Sequence, residues 1–176
     1  MNDLPRRVWL EISLETLTRN YSKIAEAVAP CGVLAVLKAN AYGLGVLPIA
    51  EALARAGASC FGVAEPYEAL QLLPLGKPVQ ILSSVLPDEI EPMVAAGVTL
   101  PVTDRATAMR ISSAALRCGR TATAHVKLDT GMGRLGILAQ EALPVIEEAA
   151  ALPNIRLEGI FSHFPYAYET GSELTN

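Results

Sequence analysis

Aromatic residues are scarce: one Trp, five Tyr and three Phe make 5% of the 176 residues. Whatever core this chain builds is therefore mostly aliphatic. Charge is also low, at 18%, against 51% hydrophobic residues. That balance excludes general disorder, which needs low hydrophobicity and high net charge. The formal charge is only −4, so no global basic footprint points to nucleic acid or to an anionic membrane. There are just three cysteines, Cys31, Cys60 and Cys118. They are widely spaced, with no C-x-x-C and no Cys/His cluster. This reads as three reduced, mostly buried thiols rather than a zinc site or a disulfide framework, and suggests a cytoplasmic protein. No apolar run approaches the ~18 residues of a membrane span. The opening Met1-Asn2-Asp3-Leu4-Pro5-Arg6-Arg7 has no apolar stretch behind its arginines, and does not read as a secretory signal. A linker is lacking too, so residues 1–176 read as one domain.

What is present is a regular alternation. Six short apolar runs stand out: Val33–Leu37, Cys60–Val63, Val79–Leu82, Val98–Val102, Thr123–Leu128 and Arg156–Phe161. Nearly continuous apolar runs are typical of strands buried on both faces. Helical spacing lies between them. Val46, Ile49, Ala50, Leu53 and Ala54 recur at three- and four-residue steps, with Gly57 as the residue after the cap. A helix is expected over Asp104–Arg117 with Thr103 as N-cap, and another over Ala139–Leu152 with Pro144 early in it. Before the first run, Ser13 can cap a helix with Leu14, Leu17, Tyr21, Ile24 and Val28 on its apolar face. Strand–helix alternation predicts α/β architecture, a parallel sheet with helical crossovers. It can be an open doubly wound sheet or a (β/α)8 barrel of which about six units are present. The G-x-G-x-x-G fingerprint of the open sheet does not follow the first strand. Gly131-Met132-Gly133-Arg134-Leu135-Gly136 matches its letters, but after the fifth.

In either architecture ligands bind at the carboxyl ends of parallel strands. Lys38 ends the first run. An amine held against aliphatic walls has its charged form disfavoured, and a neutral lysine attacks carbonyls to form a Schiff base. The same position suits a lysine that snorkels to water. Tyr42 follows in a turn of small residues, where a phenol can donate to a phosphate or simply be half-buried. In the fifth run, alternation places His125, Lys127 and Asp129 on one face. That pattern fits a polar barrel interior beside a site, and equally a solvated strand edge. His125 reads as structural.

Two segments carry a resemblance. Ala35-Val36-Leu37-Lys38-Ala39-Asn40-Ala41-Tyr42-Gly43-Leu44-Gly45 resembles the pyridoxal-phosphate motif of bacterial alanine racemases. Lys127-Leu128-Asp129-Thr130-Gly131-Met132-Gly133-Arg134-Leu135-Gly136 resembles a second motif of that family. Trp9-Leu10-Glu11-Ile12 and Ser162-His163-Phe164 resemble its start and its sixth-strand terminus. The likeness runs from about residue 8 to about residue 168, and it implies the TIM-type barrel. It implies that Lys38 holds pyridoxal 5'-phosphate covalently and acts as one of two acid–base groups at the substrate α-carbon. It implies that Tyr42 bonds the cofactor phosphate, that His163 lies against the pyridine ring, and that Arg134 holds the substrate carboxylate. Lys127 matches a lysine that is carbamylated in some members. The implied reaction is interconversion of L- and D-alanine for peptidoglycan, by a homodimer. Nothing after Tyr168 resembles the family's seventh and eighth strands or its C-terminal β domain with the second catalytic base. The resemblance therefore covers an amino-terminal half, with impaired activity expected of that half alone. A cofactor-binding barrel without turnover, like the pyridoxal-phosphate homeostasis proteins, or a fragment needing a complementary half, are the other expectations.

Overall fold

The computed structural model describes residues 7–169. It begins with helix α1 (Leu14–Val28), whose N-terminal amides are met by Ser13: its Oγ accepts from the Thr16 N–H at 3.1 Å. Strands β1 (Leu34–Val36), β2 (Cys60–Val63) and β3 (Val79–Ile81) pair in parallel, in that order. A bridge from Gln80 to Thr99 joins them to β4 (Leu100–Val102), which pairs in parallel with β5 (Ala122–Asp129). The long β7 (Ile155–Phe161) lies parallel on the other side of β5. The two-residue strand β6 (Ile137–Leu138) pairs with the end of β5. Six parallel strands thus follow one another in chain order, the arrangement of a (β/α) barrel rather than of an open doubly wound sheet, whose strand order reverses.

The crossovers are one turn, α2 (Lys38–Tyr42), and helices α3 (Val46–Arg55), α4 (Pro66–Leu72), α5 (Pro87–Ala96), α6 (Arg105–Arg117) and α7 (Ala142–Ala151). Two of these, α4 and α5, were not legible as apolar periodicity. Each starts on proline, which suits a first turn because its missing N–H has no partner there anyway. Each also carries a glutamate reaching back: Glu68 to the Glu65 N–H at 3.2 Å and Glu89 to the Leu86 N–H at 2.8 Å. Two expected helices need correction. Asp104, not Thr103, is the N-cap of α6, its carboxylate accepting from the Thr107 N–H at 2.7 Å. The expected helix over 139–152 is split: Ala139–Glu141 is a 3₁₀ turn and α7 starts at Ala142, placing Pro144 within the first turn.

The core lies between strands and helices. Phe61, Val63, Val79, Ile81, Leu100, Val102 and Val126 point outward from the sheet. They meet Ile49, Leu53, Leu72, Met93 and Ile111 from the helices, and all are buried. As expected from the composition, this core is mostly aliphatic, and Phe61 and Tyr21 are its buried aromatic rings among the described residues. The thiols are less buried than expected, because Cys31 lies in the exposed segment after α1 and Cys60 and Cys118 sit at the ends of elements, half-buried. The opposite face lines the barrel interior. There Leu34 and Leu82 close over Gly62, where a Cβ would collide with both. Among the described residues β1 and β7 each pair on one side only, and Ile160 of β7 stays 56% exposed.

Candidate active site

The carboxyl ends of these strands surround a cavity of about 550 Å³. Lys38, Tyr42, Lys127, Arg134 and His163 all line it. Every residue singled out from the sequence for a chemical role is thus brought to one place. His125 is not at the cavity wall. It lies deeper, with its ring against Gly159 and 6.5 Å from that of Phe161. Burial pushes its pKa down, against an opposing pull from Glu158. The apolar walls come from Leu34, Val36, Leu82 and Phe161.

Lys38 and Tyr42 reach the cavity from an unusual turn. Ala39, Asn40 and Ala41 each have φ 53, and Tyr42 has φ 58. Four successive residues are therefore left-handed, and none is glycine. Each costs roughly 1–2 kcal/mol relative to the right-handed form. Such a segment persists only where its surroundings over-determine it. The Leu37 N–H is bonded to Gly62 O at 2.8 Å, Gly43 to Ala39 O at 2.8 Å, and Gly45 to Asn40 O at 3.0 Å. The Asn40 side chain accepts from the Val46 N–H at 2.9 Å, joining the turn to α3.

Lys127 stands on the interior face of β5, only 5% exposed. Its Nζ lies 4.5 Å from the centroid of the Phe161 ring. Burial pushes its pKa down, and the nearby charges of Arg134 and Lys38 push the same way, with Asp129 opposing. His163 is also held below its ordinary value, by desolvation and then by Arg134, Lys127 and Lys38. The ion pairs among the described residues join Glu51 with Arg55, Glu148 with Arg105, Glu91 with Arg117 and Glu158 with Arg156. None involves Lys38, Lys127 or Arg134. Three cations thus converge on one cavity without a carboxylate in ion-pair contact, an arrangement suited to an anionic guest.

The loop that presents Arg134 is pinned at both ends. At its start, the Asp129 carboxylate accepts from the Gly131 and Gly133 N–H groups at 2.9 and 3.1 Å. These amides, Gly133 foremost, hold the Asp129 carboxyl below its ordinary range. At its end, Gly136 has φ +118, and a Cβ there would sit 2.8 Å from the backbone of Lys127, Leu128 and Asp129. Thr130 and Ser162 hydroxyls meet at 2.5 Å, and Ser162 also donates to Leu128 O, tying β5 to β7.

The Asp129 contacts carry a pH prediction. A carboxyl whose folded pKa is depressed stabilises the fold fully above its unfolded pKa, and loses that contribution as pH falls through the folded value. The 130–136 loop should therefore stay protected from proteolysis down to a pH below the ordinary aspartate range. In Asp129→Asn that acid-dependent step should vanish, and the loop should be cut faster at neutral pH. Cleavage of the variant at the parent's rate across the range would contradict the role assigned to Asp129.

Comparison with known proteins bears on this geometry. The family model "Alanine racemase, N-terminal domain" matches residues 12–176. The chain belongs to the alanine racemase N-terminal domain family. A curated alanine racemase from Syntrophobacter fumaroxidans is 41% identical over 164 residues, covering 92% of this chain and 44% of that protein. The alanine racemase of Clostridium difficile 630 superimposes with a TM-score of 0.87 at 31% identity, over 92% of this chain and 44% of that one. A Bartonella henselae alanine racemase, solved with covalently bound pyridoxal phosphate, gives a TM-score of 0.83 at 28% identity over 92% of this chain and 46% of that one. The chain therefore spans about half the length of the alanine racemases it matches. The expected family and the TIM-type fold both hold.

Sequence reasoning missed the contacts that support this site. Glu68 and the Thr130–Ser162 pair were not singled out. For Glu68 a signal existed, since a glutamate three residues after a helix-capping position commonly reaches back to it.

Proposed function

We propose that this chain is the cofactor-bearing half of an alanine racemase that interconverts L- and D-alanine and uses pyridoxal 5'-phosphate. The reading rests above all on one observation: Lys38, Lys127 and Arg134 converge with Tyr42 on a single apolar-walled cavity, with no carboxylate among the described residues in ion-pair contact with any of them. A phosphate-bearing aldehyde fits that donor set. Its aldehyde would find an amine, its phosphate a phenol, and its ring the apolar walls. Bound pyridoxal phosphate supplies an electron sink that makes the α-proton of an amino acid acidic.

The chain's own residues would do the rest. Lys38 Nζ holds the cofactor and takes or returns the α-proton on one face of the substrate. Tyr42 would donate to the phosphate, and His163 would flank the ring. The Arg134 fork receives the substrate carboxylate with two parallel N–H bonds. Racemisation also needs a proton on the opposite face, for which a second base is required. We assign that base, and the homodimer that completes the site, to the part of the family's length that this chain does not span. The product suits cell-wall synthesis in the cytoplasm. No helix among the described residues is long and apolar enough to cross a membrane.

Lys127 would act through Arg134. Its depressed pKa leaves more of the amine neutral, and a neutral amine adds carbon dioxide, forming an N–C bond and releasing a proton. The resulting carbamate anion would orient the guanidinium beside it. With ¹³C-enriched carbon dioxide, a carbamate carbon signal should appear in the parent protein and be lost in Lys127→Ala. Its persistence in that variant would place the carbamate elsewhere.

The reaction itself is tested by a coupled D-alanine assay on the chain together with the remainder of a racemase. D-alanine should form only when pyridoxal phosphate is present. Cofactor uptake without D-alanine would instead support the homeostasis-type binder.

A further inference from the structure

We propose that Glu68 is a positioning residue for Lys38, acting through the left-handed turn. The proposal rests on the reading of Lys38 as the reactive amine. Ala39 follows Lys38 directly, and its N–H, at the head of the turn, is donated to Glu68 Oε1. The other carboxylate oxygen, Oε2, accepts from the Ala64 N–H at 2.9 Å and the Glu65 N–H at 3.2 Å. One carboxylate thus joins the start of α4, just after β2, to the turn just after β1.

Four features make this a clamp on the amine rather than an ordinary helix cap. The turn is left-handed at four non-glycine positions, so it needs outside support. Its remaining bonds come from its own backbone, from Asn40 within it and from Gly62 O. Among the described residues Glu68 is the one side chain from another element that bonds to it. Glu68 also forms no ion pair with Lys38 among those residues, so its action on the amine runs through the backbone. Its two oxygens divide the work: Oε2 serves α4, and Oε1 serves the turn. Glutamine cannot replace it. Either the Ala39 amide or the Ala64–Glu65 pair would then face an NH₂ group, donor against donor.

The test is made on the full chain as parent, Glu68→Gln, Glu68→Ala, and Glu68→Ala combined with Ala39→Gly. Amide hydrogen exchange is read without cofactor, and separately the rate at which pyridoxal phosphate is fixed on Lys38 by borohydride. Both Glu68 variants should exchange residues 39–45 about 10- to 100-fold faster, the factor a charge-assisted hydrogen bond carries. Helices α1 and α6 should be unchanged. Labelling of Lys38 should slow by a similar factor. Ala39→Gly should restore much of the labelling rate in Glu68→Ala, because glycine adopts the left-handed form freely. Faster exchange confined to residues 66–72, with Lys38 labelled at the parent's rate, would overturn the proposal and leave Glu68 as a cap of α4 alone. If Glu68→Ala does not fold, Glu68→Gln decides the matter by the same two readings. A parent that never labels at Lys38 would defeat the reading of the amine, while the exchange data would still judge the clamp.

Discussion

Replacing Lys38 with alanine should abolish racemisation in a complemented enzyme, by more than about 10⁴-fold, the upper end of what one positioned acid–base group supplies. The loss exceeds that range because one amine has two duties. It anchors the cofactor, and it moves the proton on its own face of the α-carbon. Fold stability should change little, since Lys38 is partly exposed and makes no side-chain hydrogen bond or ion pair among the described residues. The variant should therefore unfold at nearly the parent's denaturant midpoint. The two readings together separate chemistry from folding. A variant retaining a tenth of the parent's turnover would remove Lys38 from both roles.

The second large effect concerns the chain by itself. Expressed alone, these 176 residues should racemise alanine about 10²–10⁴-fold more slowly than an intact racemase, the span associated with one missing acid–base group. Lys38 serves only the face its tether reaches. Tyr42, the tyrosine at the cavity wall, is assigned to phosphate. Tyr166 and Tyr168 lie beyond β7 and are not among the cavity residues. Weaker cofactor binding should accompany the slow turnover, because barrels of this type often place phosphate after strands seven and eight, and the described residues supply six in series. The two losses need not add. A D-alanine assay at saturating pyridoxal phosphate measures the first, and a cofactor titration the second. Turnover at the rate of an intact enzyme would show that the second base lies within this chain.

The parts of this protein that were legible in its sequence are those set by local chemistry. The strands were found because apolar β-branched runs buried on both faces look alike in any parallel sheet. Ser13 was recognised as a cap because its hydroxyl can meet an amide three residues on, as it does at Thr16. The helix α3 and Gly57 followed from periodicity and from the left-handed residue that ends such a helix. Helices α4 and α5 were missed because they are proline-led, with glutamates rather than Ser or Asp closing their first turns. The site was legible at Lys38 and Lys127 only in outline. Position at a strand end suggested an amine near a ligand, but family motifs were needed to give each residue a role.

The turn after Lys38 could not have been read. Ala39, Ala41 and Tyr42 have no intrinsic preference for positive φ, and Asn40 only tolerates it. Support for that conformation comes from Glu68 and Gly62, elsewhere in the chain, and from the Asn40 side chain's bond to the Val46 N–H. The convergence of Lys38, Lys127 and Arg134 is likewise a product of barrel curvature, which brings the ends of β1 and β5 to one cavity although 89 residues separate the two lysines in the chain.

The central claim is that this cavity takes a phosphate-bearing aldehyde on one particular amine. It is tested most directly by incubating the chain with pyridoxal phosphate, reducing with borohydride, and mapping the pyridoxyl group by peptide mass spectrometry. The label should lie on Lys38, at one group per chain, and Lys38→Ala should carry none. A label scattered over Lys23 and Lys77, and undiminished in Lys38→Ala, would contradict the account.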